Sequence, residues 1–204
     1  MLRSATAEGV EGGNVIVRIA REPSYPVHPA YVLVPGRGPL PRGAPVLAPY
    51  RGQLGHAVVV AVKRDLVTVR YTDIGPGYGD QPLPVRDVAP QSPGLAPGNY
   101  AVVADGDVQR FVLLLSGGAH PDGKRRWLVL GYAGEASLVA EERLQPIRLD
   151  YQPKVGAVVA VPWLGTMVPA KVVAVDPHGV FSVRRASTAP PLALGPGMLV
   201  PSGK

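Results

Sequence analysis

The chain contains no cysteine, which excludes disulfides, thiolate metal sites and a cysteine nucleophile. No run approaches the roughly 18 apolar residues of a membrane-spanning helix. The opening stretch "MLRSATAEGVEGGN" puts Glu8 and Glu11 where the apolar core of a signal peptide would fall. The expectation is therefore a cytoplasmic protein with no membrane association. Histidine is sparse, and none of His28, His56, His120 and His178 pairs with another at a ligand spacing. No metal site is expected. Neither a Ser/His/Asp set nor a close carboxylate pair can be read from spacing, so no catalytic residues, no cofactor and no enzyme activity are expected. "GPGYGD" (Gly75–Asp80) lacks the GK[ST] of a phosphate loop, and "ADGD" (Ala104–Asp107) lacks the downstream glutamate of a calcium loop. Both read as turns.

Aromatic residues make up only 6% of the chain, whereas there are 25 glycines and 24 prolines, with no long helix-forming run to offset them. At 46% hydrophobic and 18% charged, the 204 residues can bury a core. Valine-rich runs broken by glycine and proline point to short strands and turns, hence an all-β chain. The net charge is +6 and is uneven. Residues 154–204 carry Lys154, Lys171, Arg184, Arg185 and Lys204 against Asp176 alone, a net +4, whereas residues 96–148 are neutral. A basic patch on the last segment favours an anionic partner.

The chain repeats itself. "GAPVLAPYRGQLGHAVVVAVKRDLVTVRYTD" from Gly43 matches "GAVVAVPWLGTMVPAKVVAVDPHGVFSVRRAS" from Gly156. Tyr50 falls at Trp163, Gly52 at Gly165, Ala57 at Ala170, and Val67 and Val69 at Phe181 and Val183. A weaker middle copy runs from Gly98 to Pro146, with Leu128, Leu130 and Tyr132 at the positions of Val67, Val69 and Tyr71. The copies are spaced by about 55 to 58 residues. "APVLAPY" and "LVTVRYTD" alternate as half-buried strands do, and the continuously apolar "HAVVVAV" reads as a strand that is buried on both faces or lies centrally in its sheet. Five short strands cannot bury enough as an open sheet, so each copy should close into a small barrel packed on its neighbours. The expected units are residues 40–92, 96–148 and 154–204, joined by the stiff spacers "QSPGLAPG" and "IRLDYQPK". Residues 1–39 fall outside the repeat. "NVIVRIAR" and "AYVLVPG" are expected to pair as a β-hairpin, with the first ten residues mobile.

The pattern G-x-x-V-x-A-x-(Tyr/Trp)-x-G, then x-A-x-V-x-x-V, V-x-V-x-Y-x-D and a closing proline resembles the Tudor and Tudor-like group of SH3-like barrels. The first copy carries it on Gly43, Val46, Ala48, Tyr50, Gly52, Ala57, Val59, Val62, Val67, Val69, Tyr71, Asp73, Val88 and Pro90. The resemblance implies three tandem Tudor-like barrels and an aromatic cage for a methylated cation, held by cation–π attraction with a carboxylate nearby. Carried over, the ligand-binding residues are Tyr50, Tyr71 and Asp73, with Tyr78 as a further wall. The third copy has Arg185 and Ser187 at the Tyr71 and Asp73 positions, so it is not expected to hold a cation. The rings admit two other readings: cover for a barrel mouth or an inter-repeat contact, and stacking platforms for bases.

The function expected is a non-catalytic binding or adaptor protein for a protein or peptide partner. The alternatives are nucleic-acid binding and a structural assembly module. Candidate nucleic-acid contacts are Lys124, Arg125, Arg126 and Trp127 of "KRRW", with Trp163, Lys171, Arg184 and Arg185 of the basic third copy.

Overall fold

The computed structural model describes residues 3, 5–19, 21–34, 37–73 and 79–202. The described chain is all-β apart from three single-turn 3-10 helices, and every strand pair is antiparallel. A three-stranded sheet opens it, formed by β1 (Thr6–Glu11), β2 (Asn14–Arg18) and β3 (Tyr25–Val27). Three five-strand sets follow. The first is β4 (Pro45–Tyr50), β5 (Gln53–Lys63), β6 (Leu66–Tyr71), β7 (Gln81–Pro84) and β8 (Ala89–Pro90). The second is β9 (Tyr100–Asp105), β10 (Val108–Ala119), β11 (Arg125–Leu130), β12 (Ala136–Ala140) and β13 (Leu144–Pro146). The third is β14 (Val158–Trp163), β15 (Thr166–Val175), β16 (Phe181–Arg184), β17 (Leu192–Leu194) and β18 (Val200–Pro201).

The spatial order is the same in all three: β7-β6-β5-β4-β8, β12-β11-β10-β9-β13 and β17-β16-β15-β14-β18. Four strands meander, and a short fifth returns to pair with the first. In the first two sets a 3-10 turn, Val85–Asp87 or Glu141–Arg143, aims that return. Among the described residues the end strands of a set do not pair with each other, so no hydrogen-bonded ring closes. Curvature comes instead from a bulge at the same place in each long second strand, between Val59 and Ala61, Leu114 and Ser116, and Val172 and Ala174.

Alternation along the strands builds one core per set. Val46, Ala48, Ala57, Val59, Val67, Val69, Tyr71 and Val88 fill the first. Ala101, Val103, Val112, Leu114, Trp127, Val129 and Leu144 fill the second, and Val159, Val161, Ala170, Val172, Phe181 and Val183 lead the third. "HAVVVAV" is buried on both faces only from His56 to Val59, and beyond the bulge Ala61 and Val62 are exposed.

The middle copy is offset by one residue from the register read in the sequence. Trp127 and Val129 point inward beside Leu114, while Leu130 faces the other side and Tyr132 lies beyond the strand, 67% exposed. A one-residue slip exchanges the two faces of a strand. The apolar run "WLVL" offers no alternation to fix the choice.

The N-terminal hairpin also differs from expectation. Gly12 and Gly13 both take positive φ, 55° and 79°, and make a two-residue turn that pairs Glu11 with Asn14. β1 thus occupies residues expected to be mobile. The described residues from Ala30 to Val34 form no strand: Pro29–Tyr31 is a 3-10 turn capped by His28 Nδ1, which accepts from Ala30 N at 3.2 Å, and Val32–Val34 are irregular.

The sets interlock. Arg110 of β10 pairs with Thr166 of β15, so the second and third sets share one ten-stranded sheet. Val102, Ile147 and Val200 form a joint apolar cluster, which packs the second spacer rather than leaving it free. Gly98 lies against Leu47 so closely that a Cβ there would come within 2.4 Å of Leu47 Cδ1.

Candidate functional sites

Tyr50 and Tyr71, at the ends of β4 and β6 on either side of β5, meet edge to face at 5.1 Å. With Pro49, Arg51, Gln81 and Leu83 they line a shallow concavity of about 430 Å³. Tyr71 is a core residue, its hydroxyl donates to the Pro49 carbonyl, and burial, with the Asp73 charge second, pushes its hydroxyl up to about 12. The Arg51 guanidinium lies over the Tyr50 ring at 5.4 Å. Tyr78, the other wall expected, lies outside the described residues.

Asp73 is not part of that concavity. Its Oδ2 accepts from His56 N at 2.9 Å, meets His56 Nδ1 at 2.7 Å and receives the Tyr100 hydroxyl at 3.4 Å. The other ring nitrogen of His56 faces the Gly98 carbonyl at 2.7 Å. Both ring nitrogens thus face oxygen atoms of the protein's own interior. Tyr100 stacks on His56 at 4.2 Å and on Phe111 at 4.2 Å. Burial, then the Asp73 carboxylate, holds the Tyr100 hydroxyl well above its usual range. This cluster fastens the first set to the second, so the carboxylate expected to face a ligand faces the protein's own interior. Asp73 Oδ1 is buried with no hydrogen-bond partner among the described residues. Reading the sequence by repeat missed His56. The hairpin register that pairs Ala57 with Tyr71 places His56 beside Thr72 and Asp73, and that signal was available.

"KRRW" is held by acids of its own set. Glu141 accepts from Trp127 Nε1 at 2.8 Å and from Arg125 Nε at 2.9 Å, and these bonds, the tryptophan's foremost, hold its carboxyl below the usual range. Arg126 pairs with Asp122. Trp127 is 5% exposed, and its ring packs on Gly117, where a Cβ would come within 2.4 Å. Trp127 is therefore a core residue and presents no face to a base, which corrects the stacking role expected of it.

In the third set Arg185 lies over the Trp163 ring at 3.1 Å, a cation–π contact made within the chain. Lys171 and Arg184 are exposed, directly opposite each other on β15 and β16. Asp176 Oδ1 accepts from His178 N and Val180 N, both at 2.8 Å, and its Oδ2 takes Arg70 Nη1 of the first set at 2.5 Å.

Arg70 also grips Asp80 through two bonds, at 2.7 and 2.9 Å, which hold the Asp80 carboxyl below its ordinary range. A depressed carboxylate contributes stability above its unfolded value, about pH 4, that is lost as pH falls through the folded value. Both side chains are about a third exposed, so solvent screens the effect. Arg70→Met should therefore flatten the loss of melting temperature between neutral pH and about pH 3. An unchanged acid slope would mean the pair contributes nothing.

Among the described residues no group of three His, Asp or Glu side chains could hold a metal ion, and no helix is long and apolar enough to cross a membrane. No protein-family model matches the chain, and no curated protein is significantly similar to it.

Proposed function

We propose that the chain is a non-catalytic binding protein, in which three SH3-like, Tudor-like small barrel units (residues 40–92, 96–148 and 154–204) and the N-terminal extension form a rigid platform for a protein or peptide partner. The thrice-repeated five-strand order, with its short returning strand, supports the unit reading. One observation carries the function. The interior ionisable groups His56, Asp73 and Tyr100 are joined to one another between sets, whereas exposed valines, and cations that no carboxylate pairs among the described residues, are left on the outer face of the third. Groups buried in mutual contact hold a scaffold together. Exposed apolar surface beside charge is what a partner can use.

The cage is not part of this proposal. Two rings remain in the first set, but the carboxylate that would balance a bound cation is engaged with His56, and Arg51 lies over Tyr50. Tyr71 is also too deeply packed for Tyr71→Ala to be a clean probe of binding. The exposed Lys171 and Arg184 keep nucleic acid as the second reading.

The test is capture on the immobilised full chain from native lysate, with and without nuclease. Proteins retained after nuclease treatment are the expected result. Retention that disappears with nuclease would replace this reading with nucleic-acid binding. Retention of nothing but further copies of the chain would replace it with assembly.

A further inference from the structure

We infer that the outer face of β14–β16 is a docking groove for an acidic segment of a partner protein that also carries aliphatic residues; this rests on the binding-protein reading and names the site and the chemistry. In each set the first three strands align one outward row of side chains, because residues directly opposite in an antiparallel ladder share a face. The rows are Pro45, Val58 and Arg70 in the first set, Tyr100, Leu113 and Leu130 in the second, and Val158, Lys171 and Arg184 in the third.

Two of the three rows are covered by other parts of the chain. In the first set Val58 is completely buried and Arg70 reaches Asp176 of the third set. In the second, Tyr100 stacks on His56 of the first set, and Leu130 borders a cavity shared with Val17 and Tyr25 of the N-terminal sheet. The equivalent row of the third set meets solvent. Val158 is 56% exposed, Lys171 and Arg184 are exposed, and with Val155 and Pro169 they border a groove of about 710 Å³. The face that holds the molecule together twice is left open once.

Charge says what covers it. Like charges directly opposite on a strand pair repel. Lys171 and Arg184 stand in that relation, and no carboxylate pairs with either among the described residues. Asp176 is the sole acidic residue of positions 154–204, and it is held by Arg70 and two backbone amides. The groove therefore has cations without counter-ions beside a valine and proline floor. A carboxylate-bearing segment supplies the missing charge, and an aliphatic side chain covers Val155 and Val158. Bases stack on aromatic faces, and the groove border offers none. Trp127 is buried, and Arg185 lies on Trp163. A second copy of this chain carries the same net charge of +6, so two copies repel overall rather than neutralise this face.

The test uses the isotopically labelled full chain and a short peptide alternating Glu and Val. Comparison probes are Glu–Ser and Lys–Val peptides and a single-stranded oligothymidylate. Amide shifts should centre on Val158, Lys171 and Arg184. Binding should weaken about tenfold or more for Lys171→Glu with Arg184→Glu, and also for the Glu–Ser peptide. Val158→Ser, which leaves the charges in place, should weaken the Glu–Val peptide alone. Melting curves verify that each variant is folded. The inference is overturned if the Glu–Val peptide shifts a different face, if no probe shifts this one, or if oligothymidylate binds it more tightly. Concentration-dependent dimerisation that buries the same amides would overturn it as well. If the charge-reversed chain retains the same proteins from nuclease-treated lysate as the original, the groove falls while the binding-protein reading stands.

Discussion

Replacing Asp73 by alanine should lower the free energy of unfolding by about 3 kcal/mol or more, because it strips the acceptor from several buried donors at once and each donor left unsatisfied costs about 1–3 kcal/mol. Asp73 Oδ2 is the common acceptor for the His56 backbone amide, the His56 ring and the Tyr100 hydroxyl. Without it, a ring that is 94% buried faces one carbonyl and an empty side. Asp73→Asn keeps an acceptor oxygen and should cost less. Urea unfolding followed by fluorescence gives the midpoint directly, with the slope expected to be unchanged. A loss below about 1 kcal/mol for Asp73→Ala would mean that the cluster is ornamental to stability.

Phe181→Ala should cost a similar amount, about 3–5 kcal/mol, through lost transfer energy and the cavity left behind. Phe181 is wholly buried at the start of β16, in a cluster with Val159, Val161, Val172 and Val183. The shape of the melt is as informative as its midpoint. The third set shares a sheet with the second and an Arg70–Asp176 pair with the first. The variant should therefore unfold in one transition at a lower temperature. Two separated transitions, with only the first displaced, would show the sets to be independent units.

Much of the fold was legible in the sequence because period and punctuation agreed. The alternation in "LVTVRYTD" and the turn residues in "DPHG" put Val67, Val69 and Tyr71 inward and closed the β15–β16 hairpin, where Asp176 takes two backbone amides. The middle register was not legible, because "WLVL" is apolar at every position and either face would serve. β1 was missed because all six of its residues are exposed, so burial left no imprint on the residues chosen. The reading of Asp73 as a ligand carboxylate followed its place after Tyr71. The deciding fact was its neighbour in space, His56, seventeen positions back. Trp127 looked like a surface ring because it ends a basic run. Gly117, across the ladder, makes the room that lets it turn inward.

The β10–β15 bridge, Arg110 opposite Thr166, with Phe111 N donating to the Gly165 carbonyl at 3.0 Å, ties the last two sets into one sheet, and a shared sheet is expected to resist hinging. Tumbling measured at Lys171 should then match tumbling measured at Trp127. A visitor arriving at the C-terminal end would have to turn the rest of the molecule with it, so news of its arrival travels as a push on a shared plate and not as the swing of a tethered bead.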